Sequence, residues 1–276
     1  MERIDAHQHF WRYHPVKDAW ITDDMAVIQR DFMPADLKTV YDTHGISGCV
    51  AVQAGQSEEE TLFLLRLADE YPFIKGVVGW VDLQDERVEE RLAFFSRYPK
   101  LKGFRHIVQG EEDPRFLLRP AFLAGIEALG RFGYTYDILV KPHQLDAVLE
   151  FVDGFPRQRF VIDHLAKPYI KARVHEPWAT QMAVLAQYPN VCCKLSGMVT
   201  EADWNTWKPA DFSYYIQHVL QSFGPERVMF GSDWPVCLVA ADYKAVLSLV
   251  EDAVGRFTLA EQALVWHKNA TDFYKL

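Results

Sequence analysis

Eight short apolar runs rich in Val, Ile and Phe punctuate the chain, starting near Arg3, Gly48, Ile74, Leu101, Thr135, Arg159, Val191 and Val228. Their mean spacing is about 32 residues, the length that a strand plus a crossover helix requires. Helical period or punctuation fills the intervals. Ser57-Glu58-Glu59-Glu60 forms a capping-box pattern ahead of Leu62, Leu65 and Leu67, and further helices are expected over 87–98, 120–132, 145–152, 178–188 and 214–223. Runs such as Val228-Met229-Phe230 and Arg159-Phe160-Val161-Ile162 are continuous rather than alternating, as in strands covered on both faces. No Gly/Ser linker, charge block or composition shift separates the units. Residues 1–276 are therefore expected to form a single (β/α)8 barrel domain, with an open doubly wound sheet as the alternative.

Loop lengths give that barrel a polarity. Connections from helix to strand are short, as at Tyr71-Pro72-Phe73, whereas several leaving a strand are long and aromatic. Residues 10–34 carry Trp11, Tyr13, His14 and Trp20, and residues 199–212 carry Trp204 and Trp207. In barrels of this type the loops after the strands build the catalytic face. The aromatic content is thus concentrated where a substrate pocket would be, with Trp11, Trp80, Trp204 and Trp234 either offering faces on which a substrate could stack or packing in the core. The net charge of −9 provides no basic footprint for nucleic acid and disfavours an anionic membrane surface. Met1-Glu2-Arg3-Ile4-Asp5 lacks the apolar stretch of a signal peptide, so a cytoplasmic protein is expected. The four cysteines have no CxxC spacing and read as reduced core residues.

The strongest local motif is Asp5-Ala6-His7-Gln8-His9-Phe10-Trp11. Histidines two apart on a strand point to the same side and can share a ligand, either a metal ion or a substrate. A third His and an Asp interrupt the apolar sixth strand in Val161-Ile162-Asp163-His164-Leu165-Ala166-Lys167-Pro168, and a carboxylate ends the eighth in Phe230-Gly231-Ser232-Asp233-Trp234-Pro235. His7, His9, His164 and Asp233 thus come from strand ends that barrel closure gathers at one mouth. Arg105, Lys141 and Lys194 occupy similar strand-end positions. They suit the polar groups of a substrate, or else pair with Asp82 or Asp163.

These motifs, with Gly79-Trp80-Val81-Asp82-Leu83, Lys102-Gly103-Phe104-Arg105-His106 and Cys193-Lys194-Leu195-Ser196-Gly197-Met198, resemble the amidohydrolase superfamily, and within it the amidohydrolase-2 group of sugar-lactone hydrolases. The resemblance implies a distorted TIM barrel with His7, His9, His164 and Asp233 forming the site. It implies hydrolysis of an aldonolactone such as L-fucono- or L-rhamnono-lactone. Binuclear relatives bridge two ions with a lysine or glutamate on strand four and add a histidine on strand five. Here strand four ends in Arg105-His106, and strand five runs into Lys141 with His143 beyond it, so a two-metal site is not expected. Two readings stay open, one divalent ion, zinc first, on His7, His9, His164 and Asp233, or catalysis without metal.

The expected chemistry is attack of an Asp233-activated water on the lactone carbonyl, with His7, His9, His164 and Arg105 stabilising the oxyanion. Asp82, His106, Lys141 and Lys194 join the tryptophans as substrate contacts. No GxSxG elbow is present, and Cys192-Cys193 lies in an apolar run, which disfavours a covalent nucleophile. Alternatives are a decarboxylase of the same group acting on an unsaturated acid, a lactonase for a muconate- or pyrone-type lactone, and a catalytically dead barrel. The last would predict a gap among the four site residues, and there is none. The expected partner is a small molecule, and a homodimer is left open.

Overall fold

A computed structural model describes residues 1–276. The eight runs become eight parallel strands: β1 (Ile4–Gln8), β2 (Gly48–Val52), β3 (Ile74–Gly79), β4 (Leu101–His106), β5 (Thr135–Ile138), β6 (Phe160–Ile162), β7 (Val191–Leu195) and β8 (Val228–Phe230). They pair in sequence order, β1-β2-β3-β4-β5-β6-β7-β8. The edges meet at one end, where the His9 amide donates to the Trp234 carbonyl (2.7 Å) and the Asp233 amide to the His7 carbonyl (2.8 Å). A (β/α)8 TIM barrel results, and the open-sheet alternative is excluded.

Helices alternate with the strands: α1 (Pro34–His44), α2 (Glu58–Glu70), α3 (Val88–Phe95), α4 (Pro120–Arg131), α5 (Leu145–Asp153), α6 (Trp178–Leu185), α7 (Pro209–Phe223) and α8 (Tyr243–Val254). None is long and apolar enough to cross a membrane. The Ser57 hydroxyl accepts from the Glu60 amide (3.2 Å), as the cap pattern predicts. The Glu60 carboxylate, however, turns away from the cap and accepts from the Ala54 (2.5 Å) and Gly55 (2.7 Å) amides, tying down the loop after β2. Helix α7 begins at Pro209 rather than Tyr214, because Pro occupies its first turn and the Asp211 carboxylate accepts from the Lys208 amide (2.8 Å).

Two apolar cores hold the barrel. The larger lies between strands and helices. The smaller fills the barrel interior with Ile4, Ala6, Val50, Val52, Val78, Val161 and Met229. After α8 the chain adds α9 (Leu259–Ala263), a π-turn and α10 (Asn269–Tyr274), which the periodicity did not reveal. Phe273 and Tyr274 of α10 join the interior core and close the end of the barrel opposite the mouth. The Tyr274 hydroxyl donates to Asp137 Oδ2 (2.7 Å), reaching a layer of charged residues above the apolar interior.

Asp5 fastens the seam between first and last strands. Buried, it accepts from the Ser232 amide after β8 (2.9 Å), from Tyr41 of α1 (3.0 Å) and from Tyr243 of α8 (3.2 Å). Asp5→Ala strands these donors without water. It is expected to destabilise the protein by about 3 kcal/mol or more, read as a lowered midpoint in urea unfolding followed by tryptophan fluorescence.

Candidate active site

The five residues expected to do chemistry converge at the mouth. A register shift between Asp5 and Gln8 in the β1–β2 pairing departs from simple alternation and brings His7 over the interior as well as Ala6. Beyond β6 the backbone enters a left-handed turn, with φ of 55, 53, 56 and 48° at His164, Leu165, Ala166 and Lys167. Asp233 is also left-handed (φ 58°). Left-handed geometry costs a non-glycine residue roughly 1–2 kcal/mol; here it directs His164 and Asp233 into one space. Gly197 (φ 59°) makes room, because a Cβ there would run into the His164 ring. The imidazole instead meets the Ser196 hydroxyl through Nδ1 (2.9 Å).

Beneath the mouth lies a fully buried ionic layer from β4, β5, β7 and the end of β6. Lys194 Nζ contacts Asp137 Oδ2 (2.6 Å) and Asp163 Oδ1 (2.9 Å), and Arg105 donates to Asp163 Oδ2 (3.0 Å) and to the Gln53 carbonyl. Burial raises the Asp137 carboxyl to about 6 against the pull of Lys194. Burial also opposes ionisation of Asp163, but Lys194, His7 and Arg105 outweigh it and hold that carboxyl well below the usual range. His7 sits on this layer, with Nδ1 3.1 Å from Lys194 Nζ and Nε2 3.3 Å from Arg105. Burial, Lys194 and His164 keep it neutral at ordinary pH.

Asp233 faces all three imidazoles. Its Oδ1 lies 3.2 Å from His9 Nε2, 3.8 Å from His164 Nε2 and 3.9 Å from His7 Nε2. Burial alone would raise its pKa, but His164 and the hydrogen bond with His9 hold the carboxyl far below the ordinary value, so it is ionised at any working pH. His9 Nδ1 donates to the Val52 carbonyl (2.7 Å). The close approach of His9 Nε2 to a carboxylate oxygen therefore calls for a second proton or a cation between them. This observation, with buried His7, His164 and Asp233 donor atoms all within 4.8 Å of one another, fits a single divalent ion. Arg105 and Lys194, beside His7, leave no bridging ligand for a second.

A cavity of about 190 Å³ opens above these groups, lined by His9, Arg105, His164 and Asp233 below and by Ala54, Ile107, Leu139, Val236 and Trp20 around its walls. Several sequence expectations differ from this arrangement. Lys194 has no solvent-exposed surface; it pairs with Asp137 and Asp163 beneath His7, so it is a scaffold cation rather than a substrate contact. Trp11 and Trp234 are buried, with Trp11 Nε1 donating to the Arg30 carbonyl (2.9 Å) and Trp234 packed edge-on against Phe32. Trp204 caps its own loop at the Thr200 carbonyl (2.9 Å). Trp80 donates to His106, whose ring stacks on Phe116 and meets Glu111 (2.7 Å). Lys141 and Asp82 are exposed and outside the lining, Asp82 accepting from the Gln84 amide in a turn. The tryptophan in the lining is Trp20, 40% exposed, together with Gln109 and Lys167. The long aromatic loop after β1 pointed towards Trp20, and the motif around His164 contains Lys167; Gln109 left no sequence signal.

The family model described as "Amidohydrolase" matches residues 4–276. L-fucono-1,5-lactonase of Burkholderia multivorans is 41% identical, the match covering 99% of this chain and 96% of the relative. The L-fucono-1,5-lactonase of Burkholderia ambifaria is 38% identical with the same coverage. A crystal structure of an amidohydrolase from Burkholderia multivorans with bound zinc superposes with a TM-score of 0.94 at 40% identity, covering both chains fully.

Burial lowers His164 to about 4, whereas an unfolded chain leaves it at its ordinary 6.5. Between those values the unfolded state binds a proton that the folded state rejects, so His164 costs stability as pH falls through this window. The stability of chelator-treated wild type relative to His164→Gln is expected to drop by about 3 kcal/mol from pH 7 to pH 4. Urea unfolding at a series of pH values reads this, and a pH-independent difference would refute it.

Proposed function

The chain belongs to the amidohydrolase family, and from that membership and the geometry of the mouth we propose that it is a lactonase opening a sugar-acid lactone, an aldonolactone such as L-fucono-1,5-lactone or an L-rhamnono-lactone, with residues 1–276 acting as one catalytic domain. The observation that carries this reading is Asp233, an ionised carboxylate on the cavity floor facing three imidazoles, with the Arg105 guanidinium in the same lining. Ester hydrolysis needs such a group to take a proton and such donors to receive developing negative charge.

Asp233 accepts a proton from water as the water oxygen bonds to the lactone carbonyl carbon. The negative charge that moves onto the carbonyl oxygen is met by Arg105 and by the imidazoles of His7, His9 and His164. Arg105 is suited to this because its guanidinium lines the cavity floor while Asp163 and the Gln53 carbonyl hold it in place. The bond from carbonyl carbon to ring oxygen then breaks, and Asp233 returns its proton to that oxygen, leaving an open-chain hydroxy acid. No residue is acylated. The buried ionic layer keeps the Arg105 and Lys194 charges in place beneath the developing oxyanion, where low polarity strengthens them. A divalent ion, held by His7, His164 and Asp233 with His9 alongside, would add Lewis-acid polarisation of the carbonyl oxygen.

Titration of acid release at constant pH, over 1,4- and 1,5-lactones of L-fuco, L-rhamno, D-galacto and D-arabino configuration, tests the reading. Turnover of at least one without CO₂ is expected, and CO₂ evolution from an unsaturated acid in its place would overturn it. Asp233→Asn is expected to lower kcat by on the order of 10²- to 10⁴-fold, and near wild-type turnover would remove Asp233 as the base. Metal content by mass spectrometry, and activity after chelation and after zinc is restored, decide the cofactor. One ion per chain with chelation-sensitive turnover is expected if the ion is catalytic, and full activity of the metal-free protein assigns polarisation to Arg105 and the histidines.

A further inference from the structure

Hydrolysis uses the floor of the cavity and leaves two polar groups higher in its lining without a task. Gln109 sits on the turn after β4, and its carboxamide oxygen is buried without a hydrogen-bond partner. A buried unpaired acceptor costs roughly 1–3 kcal/mol, and the backbone that carries it is held in place. The Gln109 amide donates to the Leu139 carbonyl (3.0 Å), the Val108 carbonyl accepts from Gln144 (2.8 Å), and the Ile107 amide donates to Gln56 (2.7 Å), so the turn is stapled from three sides.

Lys167 is the second group. It closes the left-handed turn that also aims His164, its amide donating to the His164 carbonyl (2.7 Å). Its ammonium meets Glu201 Oε1 (3.1 Å), which occupies one of its three protons. The wall residues therefore carry a spare acceptor, which a turn of the Gln109 side chain brings to the cavity, and spare donors, amid the apolar surfaces of Ile107, Leu139, Val236 and Trp20. An unadorned lactone ring would leave the Gln109 oxygen unpaired and give the remaining Lys167 protons no hydroxyl to meet. A ring bearing hydroxyl groups, each at once donor and acceptor, would satisfy them.

We propose that Gln109 and Lys167 form a hydroxyl-recognition pair that selects polyhydroxylated lactones over unsubstituted ones, an inference that rests on the lactonase reading. With its side chain turned toward the cavity, Gln109 accepts from a ring hydroxyl through its carboxamide oxygen, and Lys167 donates to one.

The test compares kcat/KM for L-fucono-1,5-lactone with that for δ-valerolactone, which has the same six-membered ester ring and no hydroxyls. Wild type is expected to prefer the sugar lactone strongly. In Gln109→Leu and in Lys167→Met that preference should fall by on the order of 10- to 100-fold. Gln109→Glu, which keeps an acceptor oxygen, should recover part of it. A preference within twofold of wild type in both variants overturns the proposal, as does a wild-type enzyme that does not discriminate. A wild type that opens no lactone overturns the lactonase reading, and this one with it.

Discussion

The seam between β1 and β8 is the constraint on which both the barrel and its site depend. β8 has three residues, too few to close the sheet by itself, and closure is completed by backbone hydrogen bonds of His7, His9, Asp233 and Trp234. The three side chains expected to do chemistry there project from the peptide units that hold the sheet shut. Asp5, one turn of the pleat below, fastens the same seam to α1 and α8 through two tyrosine hydroxyls. Catalytic geometry is therefore set by the hydrogen bonds that close the barrel, which favours the preorganisation that oxyanion stabilisation demands.

Four charged residues beneath the mouth, Arg105, Asp137, Asp163 and Lys194, are harder to justify by stability. Each buried ion costs several kcal/mol to desolvate, and well-packed apolar residues in their place could serve the barrel as well or better. The layer makes sense as a fixed field. It holds two cations near where a carbonyl oxygen would gain charge, around a His7 that burial keeps uncharged against the pull of Asp163. The left-handed turn at 164–167 is a second local cost accepted for placement.

Much of this was legible in the chain. The strand starts follow from apolar runs at a regular spacing, and His7, His9, His164 and Asp233 announce themselves as polar residues interrupting those runs near strand ends. Side-chain direction was less legible. Lys194 looks like a substrate contact because it ends an apolar strand, but a strand-end residue that points to the barrel axis meets the neighbouring strands' carboxylates before it meets solvent. Trp11 and Trp234 lie in the right loops yet turn their rings into the core, since a large aromatic gains more from burial than from standing at an opening. Gln109 carries no pattern at all; only three-dimensional accounting of unpaired oxygens reveals it. The helices after α8 were missed because the repeat that organises the rest of the chain ends with the eighth unit.

The contact between Tyr274 and Asp137 gives the sealed end of the barrel an electrical role. Through one phenol the last helix joins the same chain of charges that reaches, by way of Lys194 and Asp163, to His7 at the open end. A barrel whose bottom is corked by a hydrogen-bond donor thus has an unbroken run of polar contacts along its axis, from the tail of the chain to the mouth.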